Sequence, residues 1–595
     1  MRLRENRVNL EGRSLLFNVV SIILNIIGVF FIAKGFHISS GENALTLKVI
    51  GFVTFALGLS GLFMLKGMHL FSFVARAFVG GLFIVSGLVK ANDPWGFAFK
   101  LEEYFSPMGL TFDFPFFEIF NGFELEMSVI ISVAEIVLGV AVIVGGRIKL
   151  ASWLLLLMMI SFTVLTYYTY SCVDTNELLS EMGQLAERDC VTDCGCFGDA
   201  LRGSVGRSLT PYETFWKDIV LMYFVVVIFM NQWKITMNTT LQNWVMIPAA
   251  LLVVIFFSWV FGWYFPIFFY LLALLGSFIF GNISIGKLEK VWKMAIYVSV
   301  LSTLFSLFTI MYLPIKDYRA YAAGNNIHEK QEDGEASIVE RTYFYKNINT
   351  SVVDTVFQSD WTKVYSNKEE WGLIESKDLV LFEGKTNSIM DFLLTADYEN
   401  FTKTELKNEV LDSIAKWDFE SYYETKIVRK SNLENIDTIS EYEFTPYHFD
   451  PTVIGSDTVY YTKEKSFNGL MDPMTPYMMD VTEYILSLET VMLMTIRDIE
   501  SMNEAAIENL KLVYTDALKN DIPFYILSPA MQNQIDEFRN EFQFEAPFLS
   551  MDGTEIKIII RSNPGLVLLQ NATIVDKWPS KSIPSFEYIK TQYLK

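Results

Sequence analysis

Between residues 15 and 312 the chain is a succession of long apolar runs, and after Pro314 those runs stop. A helix needs about 20 mainly apolar residues to cross roughly 30 Å of hydrocarbon. Nine stretches come close to that length: 15–35, 45–65, 72–90, 127–145, 149–170, 213–231, 244–261, 264–280 and 291–312. Only helices and closed barrels satisfy their backbone groups in lipid, so this half reads as a polytopic α-helical membrane domain. Composition fits once the halves are separated. The chain is 51% apolar yet carries a formal net charge of −21, because the apolar residues occupy the spans and the acidic ones concentrate in 314–595. No basic stripe exists to meet phosphates, which argues against nucleic acid. The opening MRLRENRVNLEGR is basic, with no small-residue cleavage site behind it, and reads as the flank of a retained first span.

Loop charge sets an expected orientation, because positively charged loops stay cytoplasmic. With nine spans the cytoplasmic set is the leader with Arg2, Arg4, Arg7 and Arg13, the loop with Lys66 and Arg76, the GGRIK turn, NQWK and GNISIGKLEKVWK. The opposite set is acidic: KLEEYFSPMGLTFDFPFFEIF, the cysteine loop at 171–212, and everything after Pro314. The expected arrangement is therefore a cytoplasmic N-terminus, with the cysteine loop and the C-terminal region together on the non-cytoplasmic side. Only GWYFP separates 244–261 from 264–280; one merged element would give eight spans and reverse that placement.

All four cysteines fall in one stretch: Cys172 at the exit of span five, then Cys190, Cys194 and Cys196 in CVTDCGCFGDA. Disulfides persist outside the bacterial cytoplasm. Three readings stand at this point. Two structural disulfides could clip a loop that is long to order otherwise. A thiol–disulfide relay could use the Cys-Gly-Cys pair, whose ring would be strained and easily reduced. A four-thiolate zinc fits poorly, since its ligand pairs normally follow a C-x2-C spacing, and no metal is expected. Charges in the apolar half add to this. Glu135 lies mid-span in SVAEIVLGVAV, where a carboxylate needs a partner or a cavity. Lys90 and Asp93 close span three in GLVKANDPWG, and Lys217 and Asp218 open span six. A lysine near a sulfur would favour the thiolate; the plainer alternative is that both lysines snorkel to the interface.

The blocks ARAFVGGLFIVSGLVKANDPWGFAFKLEEYF, the span with Glu135, and TDCGCFGDALRGS followed by ETFWKDIVLMYF resemble the DoxX/MauE group of bacterial redox-associated membrane proteins. The resemblance covers about residues 70–232 and resumes at YLPIKDYRAYAAGNNIHE, a tail that larger DoxX-like proteins carry after their last span. It implies a four-helix core in the inner membrane and, in the MauE branch, a role in supporting disulfide formation or maturation of exported proteins. Cys172, Cys190, Cys194 and Cys196 would then be the redox centre, with Lys90 and Glu135 as tuning or quinone-side residues. A quinone is the one cofactor this reading admits. The leading spans at 15–65 and the extra spans near 244–280 depart from the group.

The last 110 residues or so alternate strand and helix patterns: TVMLMTI, AAIENLKLVYTDALKN, PFYILS, IDEFRNEF, then EIKIIIRSNPGLVLLQNATIVDKW with two strands joined at Asn-Ala. This order resembles a thioredoxin-like domain, and Pro564 stands where that fold places its cis-proline. The position of its C-x-x-C reads TIRDIESMNEA, without cysteine. Short alternating runs (ERTYFYKN, DLVLFEG, DTVYYTKE) and the helical YENFTKTELKNEVLDSIAKW make 314–485 a mixed α/β region. His328 and His448 stand apart and suggest no metal.

The expected organisation is 1–70 as two leading spans, 71–232 as a DoxX/MauE-like core with the cysteine loop at 171–212, 233–313 as further spans, 314–485 as mixed α/β, and 486–595 as a degenerate thioredoxin-like domain. Two functions follow from different classes. One is support of thiol–disulfide redox or maturation of envelope proteins. The other is a non-catalytic scaffold that holds an acidic periplasmic domain for a partner protein in an export or assembly complex, with the cysteines as staples. The lipid bilayer is a partner in both.

Overall fold

A computed structural model describes residue 27, residues 68–181, 190–191, 197–205, 208–284 and 287–335, most of 338–397, short strands within 428–459, and 478–594. The expected spans at 15–35 and 45–65, and the helix expected at 398–417, lie outside the described residues. The chain divides into two compact units, 1–318 and 319–595.

The first unit is helical: α1 (Met68–Asn92), α2 (Pro94–Phe105), the short α3 (Leu110–Asp113), α4 (Glu124–Val144), α5 (Ile148–Glu181), α6 (Gly198–Val205), α7 (Pro211–Met230), α8 (Thr240–Val260), α9 (Phe265–Asn282) and α10 (Lys290–Tyr312). Six of these (α1, α4, α5, α8, α9 and α10) are long and apolar enough to cross a membrane. The stretch 213–231 forms α7, whose first two turns carry Glu213, Lys217 and Asp218. The 244–280 region is two helices rather than one: Gly262, at φ +57°, turns the chain between α8 and α9.

Small residues set the closest packing. A Cβ on Gly80 would lie 2.5 Å from Ile143 Cγ1, and one on Gly87 would lie 2.7 Å from the Ser132 carbonyl oxygen. A Cβ on Gly139 would in turn lie 2.8 Å from the Gly80 carbonyl oxygen. Glycine at these positions lets α1 and α4 pack backbone to backbone, as membrane helices do where van der Waals contact replaces the hydrophobic drive. At one end of this pair Arg76 is buried, and its Nε donates to the Val142 carbonyl oxygen at 2.9 Å. It also donates to the Ile143 carbonyl oxygen (3.0 Å) and Asn238 Oδ1 (2.7 Å), serving the open C-terminus of α4. Arg76 was expected in a loop; α1 begins at Met68 and takes it in because carbonyls at the end of α4 need donors. Arg147 pairs with Glu289 at 2.5 Å at the same end.

At the other end the sequence KANDP is used residue by residue. Thr309 Oγ1 donates to the Ala91 carbonyl oxygen at 2.6 Å. Asn92 exchanges hydrogen bonds with the Lys316 backbone. Asp93 caps α2 by accepting from the Gly96 N–H at 3.0 Å, and Pro94 fills the first helical position.

The second unit contains a three-stranded antiparallel sheet, β2–β1–β3, from β1 (Ile338–Asn347), β2 (Val353–Phe357) and β3 (Trp371–Phe382). It also contains a seven-stranded mixed sheet built from β4 (Thr395–Asp397), β5 (Met478–Asp480), β6 (Val491–Thr495), β7 (Phe524–Ser528), β8 (Phe548–Ser550), β9 (Gly565–Gln570) and β10 (Thr573–Pro579). The order is β10–β9–β6–β7–β8–β4–β5. Strands β6, β7 and β8 are parallel, and β9 runs antiparallel to β6. Every residue of β6 and β7 is buried, the pattern of parallel strands covered on both faces. Helices α11 (Ile507–Lys519) and α12 (Gln532–Phe542) follow β6 and β7, and Leu510, Val513 and Phe538 of these helices join the core. Asn571 and Ala572 both have positive φ, as a two-residue hairpin between β9 and β10 requires. The sheet does not stop at residue 486, because β4 and β5 extend it past β8.

The tail YRAYAAGNNIHE folds with this second unit from Arg319 onward. Its backbone pairs with the β9–β10 hairpin: Gly324 N–H donates to the Ile574 carbonyl oxygen (2.7 Å) and Ile327 N–H to that of Ala572 (2.9 Å). Tyr321 is buried beneath it and donates to the Glu555 carboxylate.

Candidate functional site

The close approach of α1 and α4 brings together the two membrane-half residues singled out above. Lys90 Nζ lies 2.9 Å from Glu135 Oε1 and 3.0 Å from Oε2, and both side chains are 1% exposed. Ser86, one turn before Lys90, accepts a third hydrogen bond from Nζ at 2.8 Å. Lys90 therefore does not snorkel; it is fixed inside the bundle, where a charge needs a partner. Three aromatic rings surround its ammonium, those of Phe97 and Phe162 at 5.5 Å and Phe197 at 5.9 Å.

A second pair lies on α7, where Lys217 Nζ is 3.2 Å from Asp218 Oδ1. The capping box of Thr210 and Glu213 with Pro211 at the first helical position starts α7 here, which places both residues within its first two turns. Asp218 is buried, and its Oδ2 has no hydrogen-bond partner among the described residues. Both pairs line one cavity of about 20 Å³ together with Ser86 and Phe197. Such a volume has room for about one water molecule beside Asp218 Oδ2.

Phe197 connects this centre to the cysteines. It directly follows Cys196 in the sequence, is buried, lies with its ring 5.1 Å from Lys217 Nζ, and stacks on Phe261 at 5.3 Å. Its position was the piece missing from the sequence reading; the available signal was its adjacency to the Cys-Gly-Cys pair.

The cysteines separate into two sets. Cys172 and Cys190 are joined in a disulfide with a Cα–Cα distance of 5.7 Å. Cys172 was expected at the head of a loop, but α5 continues past it to Glu181, so it lies within the helix. The helix persists because TNELLSE offers good helix formers and no breaker. The disulfide packs with Phe97, Leu101, Tyr104 and Val191 in an apolar cluster, and Asn176 Nδ2 donates to Cys190 Sγ at 3.0 Å. Cys194 and Cys196 lie outside the described residues. Among the described residues, no three His, Cys, Asp or Glu side chains come together as a metal site.

In the second unit, Asn563 precedes Pro564 through a cis peptide and ties down the loop after β6. Its Oδ1 accepts from the Arg497 N–H (3.0 Å), and its Nδ2 donates to the Asp498 carbonyl oxygen (2.7 Å). That loop is the stretch IRDIESMN, where the sequence carries no cysteine.

The helices and their buried charges define a polytopic helical protein of the bacterial membrane. Residues 68–173, a minority of the chain, match the family model for methylamine utilisation protein MauE, which supports the MauE/DoxX-like nature of that segment. No curated protein and no solved structure matches the chain.

Proposed function

We propose that this is an inner-membrane protein that exchanges disulfides with envelope proteins through Cys194 and Cys196, with Cys172–Cys190 as a structural clip. The observation that carries this reading is the pairing of Cys172 with Cys190 inside an apolar cluster. It leaves Cys194 and Cys196 as the only remaining cysteines of the chain. In the exchange, a partner thiolate attacks the Cys194–Cys196 disulfide, and a second partner thiol resolves the mixed disulfide. The partner gains a disulfide, and Cys194 and Cys196 leave as thiols, so electrons and protons balance between the two molecules. Lys217 and Lys90, both against Phe197, supply positive charge toward the chain position next to Cys196, which favours a thiolate there. Glu135 holds Lys90 in place.

The name of the matched family, with its reference to methylamine utilisation, is consistent with a maturation role. Support for the periplasmic side comes from the ends of the helices, where Arg147 and Lys149 lie at the end opposite Phe197. The order β10–β9–β6–β7, with β9 antiparallel to its neighbours, supports a thioredoxin-like reading of the second unit. With no cysteine after β6 and with Asn563 filling the neighbouring loop, that unit would bind or pack rather than exchange.

Trapping tests the assignment. In the Cys196→Ser protein, the Cys194 thiolate should attack the disulfide of an already oxidised partner and, with no Cys196 to resolve the product, accumulate a mixed disulfide with that polypeptide in native membranes; Cys190→Ser, which keeps Cys196, should not. Equal trapping by both variants, or by neither, contradicts the division of labour and favours the scaffold reading.

A further inference from the structure

Between α2 and α4 the chain makes an elbow that no span accounts for. It contains α3 and the 3-10 turn Pro115–Phe120. Side chains three apart eclipse in such a turn, giving it three faces. Phe117 and Phe120 point inward, with rings 5.9 and 5.6 Å from that of Phe105. Phe116 and Ile119 form a second face, 69% and 65% exposed. Pro115 and Glu118 form the third. A turn that is apolar on two faces and, among the described residues, covered by protein on only one needs a second apolar surface. Met108, Phe114 and Phe123 extend the uncovered face.

The occupant follows from continuity and charge. Phe123 is bonded to Glu124, the first residue of the span α4, and Ile130 further along α4 is 66% exposed on an apolar membrane helix. The elbow thus begins where hydrocarbon ends, the level at which aromatic side chains settle. From residue 101 to 146 the chain has no Lys or Arg, while Asp113, Glu118, Glu124 and Glu126 lie in or beside the elbow. An anionic lipid surface would repel it.

We propose that residues 108–123 form an aromatic anchor seated in the headgroup–acyl boundary of a zwitterionic phospholipid leaflet. Phe116, Ile119 and Phe123 enter the boundary, and Glu118 faces the headgroups. The anchor fixes the height of the α2–α4 connection against the bilayer independently of any thiol chemistry.

Photo-crosslinking in the full chain tests it. A benzophenone amino acid replaces Phe116, Phe114 or, as a lipid-facing reference, Ile130, and each protein is reconstituted in nanodiscs of phosphatidylethanolamine or of phosphatidylglycerol. Phospholipid adducts at Phe116 and Phe114 within about twofold of the Ile130 yield in phosphatidylethanolamine are expected, falling about tenfold in phosphatidylglycerol. Lipid adducts at Ile130 with almost none at either elbow position overturn the proposal. So do polypeptide adducts at Phe116 in native membranes, which would make the face a protein-docking surface. Equal yields in the two lipids overturn the zwitterionic assignment. Lipid adducts at Ile130 report that each preparation is folded, and the two elbow positions guard against a single disruptive substitution.

Discussion

Removing one partner of the Lys90–Glu135 pair leaves a full charge inside the bundle, and the size of that penalty can be worked from the contacts. The ammonium is held by two carboxylate oxygens and Ser86 at 2.8–3.0 Å, with both side chains 1% exposed. At about 3 Å and an effective dielectric constant near 20, the gross attraction is about 5 kcal/mol. Most of it offsets desolvation, but the desolvation remains when the partner is gone, so Glu135→Leu and Lys90→Met should each destabilise by ~3–5 kcal/mol. The double variant removes both charges and should fall within ~2 kcal/mol of the parent. A double-mutant cycle by reversible unfolding in mixed micelles reads this directly. The expected non-additivity is at least ~4 kcal/mol, and single effects that simply sum within ~0.5 kcal/mol would refute the argument. The double variant also separates roles. Retained stability with lost disulfide exchange places the pair in the chemistry, whereas retained exchange makes it a packing device.

Gly87→Val should push α1 from α4, since a Cβ there already lies 2.7 Å from the Ser132 carbonyl oxygen; hydrogen exchange across 128–140 should rise and exchange activity fall with it. Cys190→Ser opens a disulfide spanning 18 residues and should cost about 3 kcal/mol in the chain-entropy account, read as a lower unfolding midpoint without loss of folding. In the second unit, burial raises the Glu555 carboxyl above its ordinary 4.5, with Tyr321's hydrogen bond partly opposing. The folded state then holds its proton more tightly than the unfolded chain. The contribution is full below about pH 4.5 and declines as pH rises through the folded value. Glu555→Gln should flatten that slope in the exchange protection of 553–559, and an unchanged slope would contradict the assignment.

Six of the nine expected spans were legible because hydrocarbon thickness writes itself into the sequence as runs of fixed length, and Glu135 stood out because a carboxylate there is costly. The partner of Glu135 was not legible. Lys90 lies 45 positions away, and what joins the two is backbone contact at Gly80, Gly87 and Gly139, which the sequence displays only as glycines. Arg76 and Cys172 were misplaced into loops for a shared reason. Hydropathy marks where apolar character fades, whereas a helix continues while its residues favour it and its end carbonyls find donors. Phe197 looked like one phenylalanine among fifty, and only packing placed it on both lysines. In the second unit, strand and helix alternation read well because β6 and β7 are buried throughout; β4 and β5 joined the sheet unannounced, as three-residue strands carry almost no periodic signal.

The central claim is that the four sulfurs divide into a clip and an exchanging pair. Differential alkylation of each cysteine in native membranes, before and after mild reduction, measures this by peptide mass. The account predicts that Cys194 and Cys196 become labelled under mild reductant while Cys172 and Cys190 stay bridged until the protein is denatured. Four sulfurs that all remain bridged until denaturation, or a Cys172–Cys190 bond that opens first, would contradict it.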